Sequence, residues 1–146
     1  MSHIDIGGGI GVTYNNEKTI DIEEYIQSVV RKVGNLKVMV EPGRSIVGNA
    51  GIFVTKVEYL KQNDSKSFAI IDGAMNDLLR PALYGSYHQA VKVIDKTDGI
   101  NASWDLVGPV CETADFLAKN RNLNLKEGDY IAIMTAGAYG FVLSSN

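Results

Sequence analysis

A carboxylate and a guanidinium lie three positions apart in the segment Glu-Pro-Gly-Arg-Ser, residues 41–45, directly after the apolar run at residues 38–40. Glu41 could hold a proton at this position, and Arg44 could bind an anion. Side chains at the carboxyl end of a parallel strand point into the crevice where α/β proteins bind ligands. The alternative is a surface ion pair, which contributes little to stability. The segment alone leaves both interpretations open.

Three consecutive glycines, Gly7, Gly8 and Gly9, follow a short apolar segment at residues 3–6. Glycines allow backbone N–H groups to approach a phosphate closely, so the triplet is a candidate phosphate site. A flexible turn without chemical function would have the same composition.

Two further segments could bind a ligand. Arg80 and Tyr84 lie four positions apart with Pro81 between them, so a helical turn that begins at the proline would place both side chains on one face. A guanidinium and a phenol together suit a carboxylate, although an arginine stacked on a tyrosine at the surface would have the same spacing. Tyr139 is flanked by Gly137 and Gly140, which would allow the backbone to come close to a ligand.

The single cysteine, Cys111, precedes Glu112. A lone cysteine is usually a small buried hydrophobic residue. An adjacent acid disfavours a standing thiolate and leaves a thiol that could donate a proton. His3 and His88 have no second ligand at the spacing of a metal site, so we expect no bound metal.

The first third of the chain predicts one strand–helix–strand unit. Residues 3–6 and 37–40 are read as short buried strands, and Asp21 with Glu24 forms a capping box at the start of a helix that ends at Gly34. The helix has one apolar face, formed by Ile22, Tyr25, Ile26, Val29, Val30 and Val33. Two strands joined through a helix are parallel in such a unit.

The pattern changes near residue 50, where short β-rich segments replace the helical pattern. The predicted strands are residues 51–62, 67–72, 89–94, 103–107 and 129–134. We therefore expect residues 1–50 to belong to an α/β domain and residues 51–146 to form a mainly antiparallel β domain. About fifty residues are too few for an α/β domain, so both domains are expected to be truncated.

Composition excludes several classes of protein. The net charge is −3 with no basic cluster, which argues against a nucleic-acid partner. No apolar run is long enough for a membrane span, and residues 1–9 do not resemble a signal peptide. One cysteine fits a reducing cytoplasm.

Five segments occur together and in order that resemble the second half of the diaminopimelate decarboxylase family. They are residues 3–11, 41–51, 71–85, 108–115 and 134–141. These are pyridoxal 5'-phosphate (PLP) enzymes with the alanine-racemase-like and ornithine-decarboxylase-like fold. The resemblance implies the tail of a TIM (βα)8 barrel followed by a β-barrel or β-sandwich domain, and decarboxylation of meso-diaminopimelate to lysine.

The resemblance also implies a role for each candidate residue. Glu41 pairs with the pyridine nitrogen of PLP. The residues expected to contact the cofactor phosphate are Gly7, Gly8, Gly9, Gly43 and Tyr139. Arg44, Arg80 and Tyr84, with Tyr139, are expected to hold the distal carboxylate of the substrate. Glu112 receives the distal amine, and Cys111 is a candidate acid for returning a proton to the product carbon. Cys111 and Glu112 act across a two-fold dimer, in the partner's site.

One departure from the family is clear. The lysine that binds PLP lies in an upstream segment resembling Val-Lys-Ala-Asn, and none of the ten lysines here has that context. The histidine that stacks on the pyridine ring is also upstream. We therefore expect a C-terminal fragment that is inactive alone. The alternatives are a decarboxylase for ornithine, arginine or carboxynorspermidine, and a β-rich interaction domain without catalytic activity.

Overall fold

The structure is a computed structural model that describes residues 1–146. In chain order the elements are β1 (His3–Asp5), α1 (Ile22–Val33), β2 (Lys37–Met39), α2 (Gly43–Val47), β3 (Phe53–Gln62), β4 (Ser67–Ile71), α3 (Arg80–Tyr84), β5 (Ala90–Lys92), β6 (Ile100–Val107), β7 (Phe116–Leu125) and β8 (Tyr130–Ile133), with 3-10 turns at Gly48–Ala50 and Phe141–Leu143. None of the helices has the length and apolarity to span a membrane.

The first unit is the predicted strand–helix–strand arrangement. β1 and β2 pair in parallel, with Ile4 opposite Val38, and α1 connects them. The carboxylate of Asp21 accepts a hydrogen bond from the N–H of Glu24 at 3.0 Å, which caps the start of α1. Gly34 ends the helix at φ 63°, a left-handed conformation that glycine adopts easily. The sequence therefore predicted this element at both ends.

The expectation that β2 is fully buried is wrong for this chain. Met39 is 49% exposed, and no residue of α1 is buried; Ile22 on its apolar face is 53% exposed. The two-stranded sheet has no further parallel strand beside it in these residues. The apolar face of α1 was therefore correctly predicted from the spacing of its residues. Its burial would require packing partners that residues 1–146 do not provide.

The remaining strands form one six-stranded sheet in the order β5-β8-β3-β4-β6-β7. Its two edges approach each other, since the guanidinium of Arg121 in β7 donates to the carbonyl of His88, just before β5, at 3.0 Å. The ring of Tyr87 lies over the same guanidinium at 3.9 Å. The result is a nearly closed, barrel-like sheet, which confirms the expected fold class.

One pairing in this sheet is parallel. β4 and β6 run in the same direction, whereas the other four pairs are antiparallel. The chain between β4 and β6 carries α3 and β5, and this length is enough for the crossover that a parallel pair needs. No pattern in the sequence predicts this crossover.

The hydrophobic core lies inside the six-stranded sheet. Its buried members are Val57, Ala69, Ile71, Leu78, Ala90, Trp104, Leu106, Leu117, Ala118, Leu125, Ile131, Ile133 and Ala136. Trp104 is completely buried and donates its indole N–H to the carbonyl of Leu123 at 3.0 Å, so its one polar atom is satisfied.

Two elements were not predicted from the sequence. β7 has a polar middle at residues 119–122, where Asn120 adopts φ 57° beside a register shift, and this interrupts the apolar alternation of a strand. α2 is a single helical turn without a side-chain cap, so it has no start signal to recognise.

Candidate functional site

The glycine triplet and the Glu41 segment lie side by side at the carboxyl ends of β1 and β2. The N–H of Glu41 donates to the carbonyl of Gly7 at 2.8 Å. A Cβ atom on Gly8 would overlap the carbonyl oxygen of Glu41, so only glycine fits at this position. The two predicted strands are parallel, so the segments that follow them lie at the same edge of the sheet.

The backbone of the triplet offers free hydrogen-bond donors. The N–H groups of Gly8 and Gly9 make no hydrogen bond within the chain. The N–H of Gly7 instead donates to the carboxylate of Asp5 at 2.8 Å, and the N–H of Gly43 donates to the carbonyl of Glu41 at 2.8 Å. Two adjacent free N–H groups fit a phosphate, which accepts several hydrogen bonds. Gly9 adopts φ 83°, a conformation that glycine accommodates without strain.

The carboxylate of Glu41 is exposed and has no partner in the chain. Every ion pair in the structure uses a lysine, so Glu41 and Arg44 do not form the surface ion pair that was the alternative interpretation. An exposed carboxylate without a partner beside a glycine loop fits a protonated ring nitrogen of PLP.

A cavity of about 500 Å³ gathers the predicted anion-binding residues. It is lined by Arg44, Arg80, Tyr84, Ser86, Tyr139 and Leu143. These residues come from α2, from α3 and the residues that follow it, and from the segment after β8. The fold therefore brings together all four residues that the sequence analysis assigned to the substrate carboxylate.

Arg80 is the most buried of these residues, with 8% of its surface exposed. Three tyrosine rings surround its guanidinium, with centroids at 5.0 Å for Tyr14, 5.6 Å for Tyr139 and 6.0 Å for Tyr84. Its Nη2 donates to the hydroxyl of Ser86 at 3.2 Å. The interpretation of Arg80 as a surface arginine stacked on a tyrosine is wrong, because the guanidinium is buried.

The charge of the cavity is uncompensated. Neither Arg44 nor Arg80 forms an ion pair, and the Nε atom of each is buried without a hydrogen-bond partner. Buried donors without partners are costly, which favours an anion at this site. Two guanidinium groups and two phenols can together bind one carboxylate through several hydrogen bonds.

The short helix α3 sets the direction of two cavity residues. Pro81 occupies its first turn and Gly85 ends it at φ 60°, so Arg80 and Tyr84 lie one turn apart on the same face. This confirms the helical turn that the sequence predicted.

The glycines around Tyr139 have a different role from the predicted one. A Cβ on Gly137 would overlap the carbonyl of Val47, and one on Gly140 would overlap the carbonyl of Ala136. These glycines therefore permit close packing of the chain against itself and not the approach of a ligand. Tyr139 itself adopts φ 60°, a left-handed conformation that costs a non-glycine residue about 1 kcal/mol or more.

Cys111 and Glu112 lie on a loop apart from the cavity. Both side chains are exposed, and neither lines the cavity that holds Arg44 and Arg80. The interpretation of Cys111 as a buried hydrophobic residue is wrong.

Three residues of the site were missed by sequence reasoning. Tyr14 packs on Arg80 and also meets the ring of His88 edge-on at 5.0 Å, and Ser86 binds the Arg80 guanidinium. His88 is completely buried and its Nδ1 lies 2.9 Å from the carbonyl of Met134. No motif marks Tyr14 in the sequence. No group of metal-ligating side chains occurs in the chain.

A family model matches residues 11–137, and its description is "Pyridoxal-dependent decarboxylase, C-terminal sheet domain". The diaminopimelate decarboxylase of Pseudomonas fluorescens is 52% identical over the whole chain, and that of Haemophilus influenzae is 50% identical. The crystal structure of diaminopimelate decarboxylase from Helicobacter pylori complexed with L-lysine is 42% identical, has a TM-score of 0.89 and matches 99% of this chain.

The chain spans about a third of these relatives, namely 35% of the Pseudomonas fluorescens protein and 36% of the Helicobacter pylori chain. The family match nevertheless covers most of residues 1–146 and includes the six-stranded sheet. The chain therefore belongs to the pyridoxal-dependent decarboxylases and contains the C-terminal sheet domain of that family.

Proposed function

We propose that the full-length protein decarboxylates meso-2,6-diaminopimelate to L-lysine with PLP as its cofactor. The observation that carries this proposal is the cavity with two unpaired arginines and two tyrosines. Diaminopimelate has a second carboxylate at its far end, which these groups can bind. Ornithine and arginine have no distal carboxylate, so neither substrate would neutralise Arg44 and Arg80. The names of the most similar relatives support the same substrate.

The residues at the ends of β1 and β2 suit the cofactor. When bound, PLP accepts the electron pair that is left as carbon dioxide departs. Glu41 would hold a proton at the pyridine nitrogen, and the free N–H groups of Gly8 and Gly9 would bind the phosphate. Gly7 supports this loop through its bond to Asp5. Gly43 and Tyr139 are proposed as further phosphate contacts, although the Gly43 N–H is already bonded to Glu41.

The exposed loop would complete the site of a second subunit. In a two-fold homodimer, Glu112 would receive the distal amine of the substrate in the partner's cavity, and Cys111 would return a proton to the product carbon. Cys111 and Glu112 are exposed and do not line the cavity of their own chain, which supports this arrangement. A dimer of this kind has two equivalent sites. We also propose that the protein works in the cytoplasm.

The domain boundary is proposed to lie near residue 50. The core of the six-stranded sheet contains only residues from 57 to 136, and β1 and β2 form a separate sheet. Tyr14 crosses this boundary, since its ring packs on Arg80 and His88 of the second domain. Carboxylate binding therefore depends on both domains.

A substrate comparison tests the proposal. Full-length protein with PLP is assayed for carbon dioxide release with diaminopimelate, ornithine and arginine, and the product is identified. We expect activity on diaminopimelate and the formation of lysine. Replacement of Arg80 by Gln should reduce kcat/KM for diaminopimelate by roughly a hundredfold, because one partner of a charged hydrogen bond is removed. A preference for ornithine or arginine would assign the protein to a related decarboxylase instead.

A further inference from the structure

The carboxylate of Asp115 is buried and is bound only by backbone N–H groups. It is 4% exposed, and its two oxygens accept from the N–H of Met75 at 2.6 Å and from the N–H of Val110 at 2.7 Å. No lysine or arginine pairs with it. Both oxygens are therefore used to hold the main chain in place.

Asp115 closes the loop of residues 108–115, which carries Cys111 and Glu112. Its carbonyl accepts from the N–H of Gly108 at 3.1 Å, and its own N–H donates to the carbonyl of Glu112 at 3.0 Å. With the bond from Val110, three of the hydrogen bonds within the loop involve Asp115. A Cβ on Gly108 would lie 2.5 Å from a carboxylate oxygen of Asp115, so the loop closes tightly around this side chain.

The bond to Met75 attaches the loop to the rest of the fold. Met75 belongs to the connection between β4 and α3, next to Ala74, which is buried, and before Leu78, which is part of the core. This is the only side-chain hydrogen bond from the loop to that connection. The ends of the loop are held by the pairing of Val107 with Phe116, and the bond to Met75 adds a third point of attachment, within the loop that carries Cys111 and Glu112.

We infer that Asp115 is a positioning residue: its carboxylate holds the loop of residues 108–115 in the shape that presents Glu112 and Cys111 to the partner's cavity. The inference rests on the proposed function of that loop. Asp115 itself touches neither substrate nor cofactor. Its loss should therefore resemble the loss of Glu112 while the cavity of its own chain stays intact.

Asp115→Asn is the appropriate change. An amide has one acceptor oxygen, and its NH₂ group would face the N–H of Met75 or Val110, so one buried donor would lose its partner. We expect kcat/KM for diaminopimelate to fall roughly ten- to a hundredfold in the full-length enzyme. Asp105→Asn is the control, since Asp105 is also buried, at 6%, and accepts from the N–H of Asn120 at 2.8 Å, but lies outside the loop; unlike Asp115 it also pairs with Lys66 at 3.3 Å. The control should keep kcat/KM within about twofold.

Subunit mixing separates positioning of the loop from other causes. When Asp115→Asn is mixed with Arg44→Ala and the subunits exchange, a mixed dimer has one site with an intact cavity and an intact loop, so activity should return. When Asp115→Asn is mixed with Glu112→Ala, every site has one damaged loop, so no activity should return. If activity returns in the mixture with Glu112→Ala but not in the mixture with Arg44→Ala, the inference is overturned, because Asp115 would then act on the cavity of its own chain. If Arg44→Ala and Glu112→Ala restore activity to each other but Asp115→Asn recovers with neither, the inference is also overturned, since the Asp115→Asn chain would be damaged as a whole.

A second measurement does not depend on the dimer. If Asp115 acts through the loop, the double variant Asp115→Asn/Glu112→Ala should be no less active than Glu112→Ala alone. If the loss of kcat/KM in the double variant equals the product of the two single losses, the inference is overturned. A different outcome would reject only the proposed sharing of sites. In it, Arg44→Ala and Glu112→Ala do not restore activity to each other, and the double variant Asp115→Asn/Glu112→Ala is no less active than Glu112→Ala. The positioning role of Asp115 then stands.

Discussion

The α-carbon of Gly8 lies so close to the carbonyl oxygen of Glu41 that a Cβ atom at position 8 would overlap that oxygen. The contact joins the loop after β1 to the loop after β2. The free N–H groups of the glycine triplet and the free carboxylate of Glu41 are therefore held in a fixed relation to each other. A cofactor whose phosphate binds the glycine triplet and whose ring nitrogen binds Glu41 would depend on the distance between these two groups.

Gly8→Ala should weaken PLP binding. The added methyl group must displace the Glu41 segment, and such overpacking costs roughly 1–3 kcal/mol. The PLP dissociation constant and the Tm of the full-length enzyme measure the effect. Gly11→Ala is the control, because a Cβ on Gly11 meets no atom within 4 Å. Equal effects of the two substitutions would mean that the contact with Glu41 does not matter.

Glu41→Gln should retain PLP and lose most of the rate. The amide has nearly the same shape as the carboxylate, but it cannot hold a proton at the pyridine nitrogen. A loss in kcat on the order of a hundredfold is expected, the scale for one well-placed acid–base or electrostatic group. The absorbance of bound PLP and steady-state kinetics test this. A kcat near that of the wild type would show that another group sets the ring charge.

Arg44→Ala and Glu112→Ala should restore activity to each other. Each variant alone is expected to be nearly inactive, since each removes one partner of a buried charged contact. With statistical exchange, half of the dimers are mixed and half of their sites carry neither change, so activity should return to roughly a quarter of the wild type. Exchange is verified by mass spectrometry. A mixture as inactive as its parents would show that Glu112 does not act in the partner's site.

The stability of the fold should fall in acid partly through His88. Burial lowers the pKa of His88 below its usual value of 6.5, and the nearby charges of Arg80 and Arg121 lower it further, which outweighs the bond to the Met134 carbonyl. The unfolded chain therefore binds more protons than the folded chain at pH values between the lowered pKa and 6.5. Stability is fully present above pH 6.5 and decreases as the pH falls through this window.

His88→Asn tests this pH dependence. The amide can donate to Met134 but does not titrate, so the free energy of unfolding should decline less between about pH 7 and about pH 5 than in the wild type. Urea unfolding at a series of pH values measures the two slopes, and the comparison of slopes removes any constant cost of the substitution. Equal slopes would show that His88 does not contribute.

Local signals predicted α1, because Asp21 and Gly34 act on neighbouring backbone groups. They also predicted the strands with continuous apolar residues. They missed β7, whose polar bulge is stabilised by a distant residue, Asp105, through the N–H of Asn120. The parallel pairing of β4 with β6 was missed for the same reason, since it depends on contacts far apart in the sequence.

The site shows the same division. Arg44, Arg80 and Tyr139 were each a candidate from residue type and local spacing, but their common role came from a resemblance to a family, because their distance in the sequence gives no hint that they meet in one cavity. The stacking of Tyr14 on Arg80 and the anchoring of the loop by Asp115 have no local pattern at all. Contacts of this kind follow only from the three-dimensional packing.

The bond from Arg121 to the carbonyl of His88 has a consequence for how the protein behaves at high concentration. A sheet with open edges offers unpaired N–H and C=O groups to strands of other molecules, and such edges promote aggregation. Here Arg121 draws the long edge strand β7 against the chain just before the three-residue edge strand β5. The two edges shield each other, so this single guanidinium helps to keep the sheet closed to foreign strands.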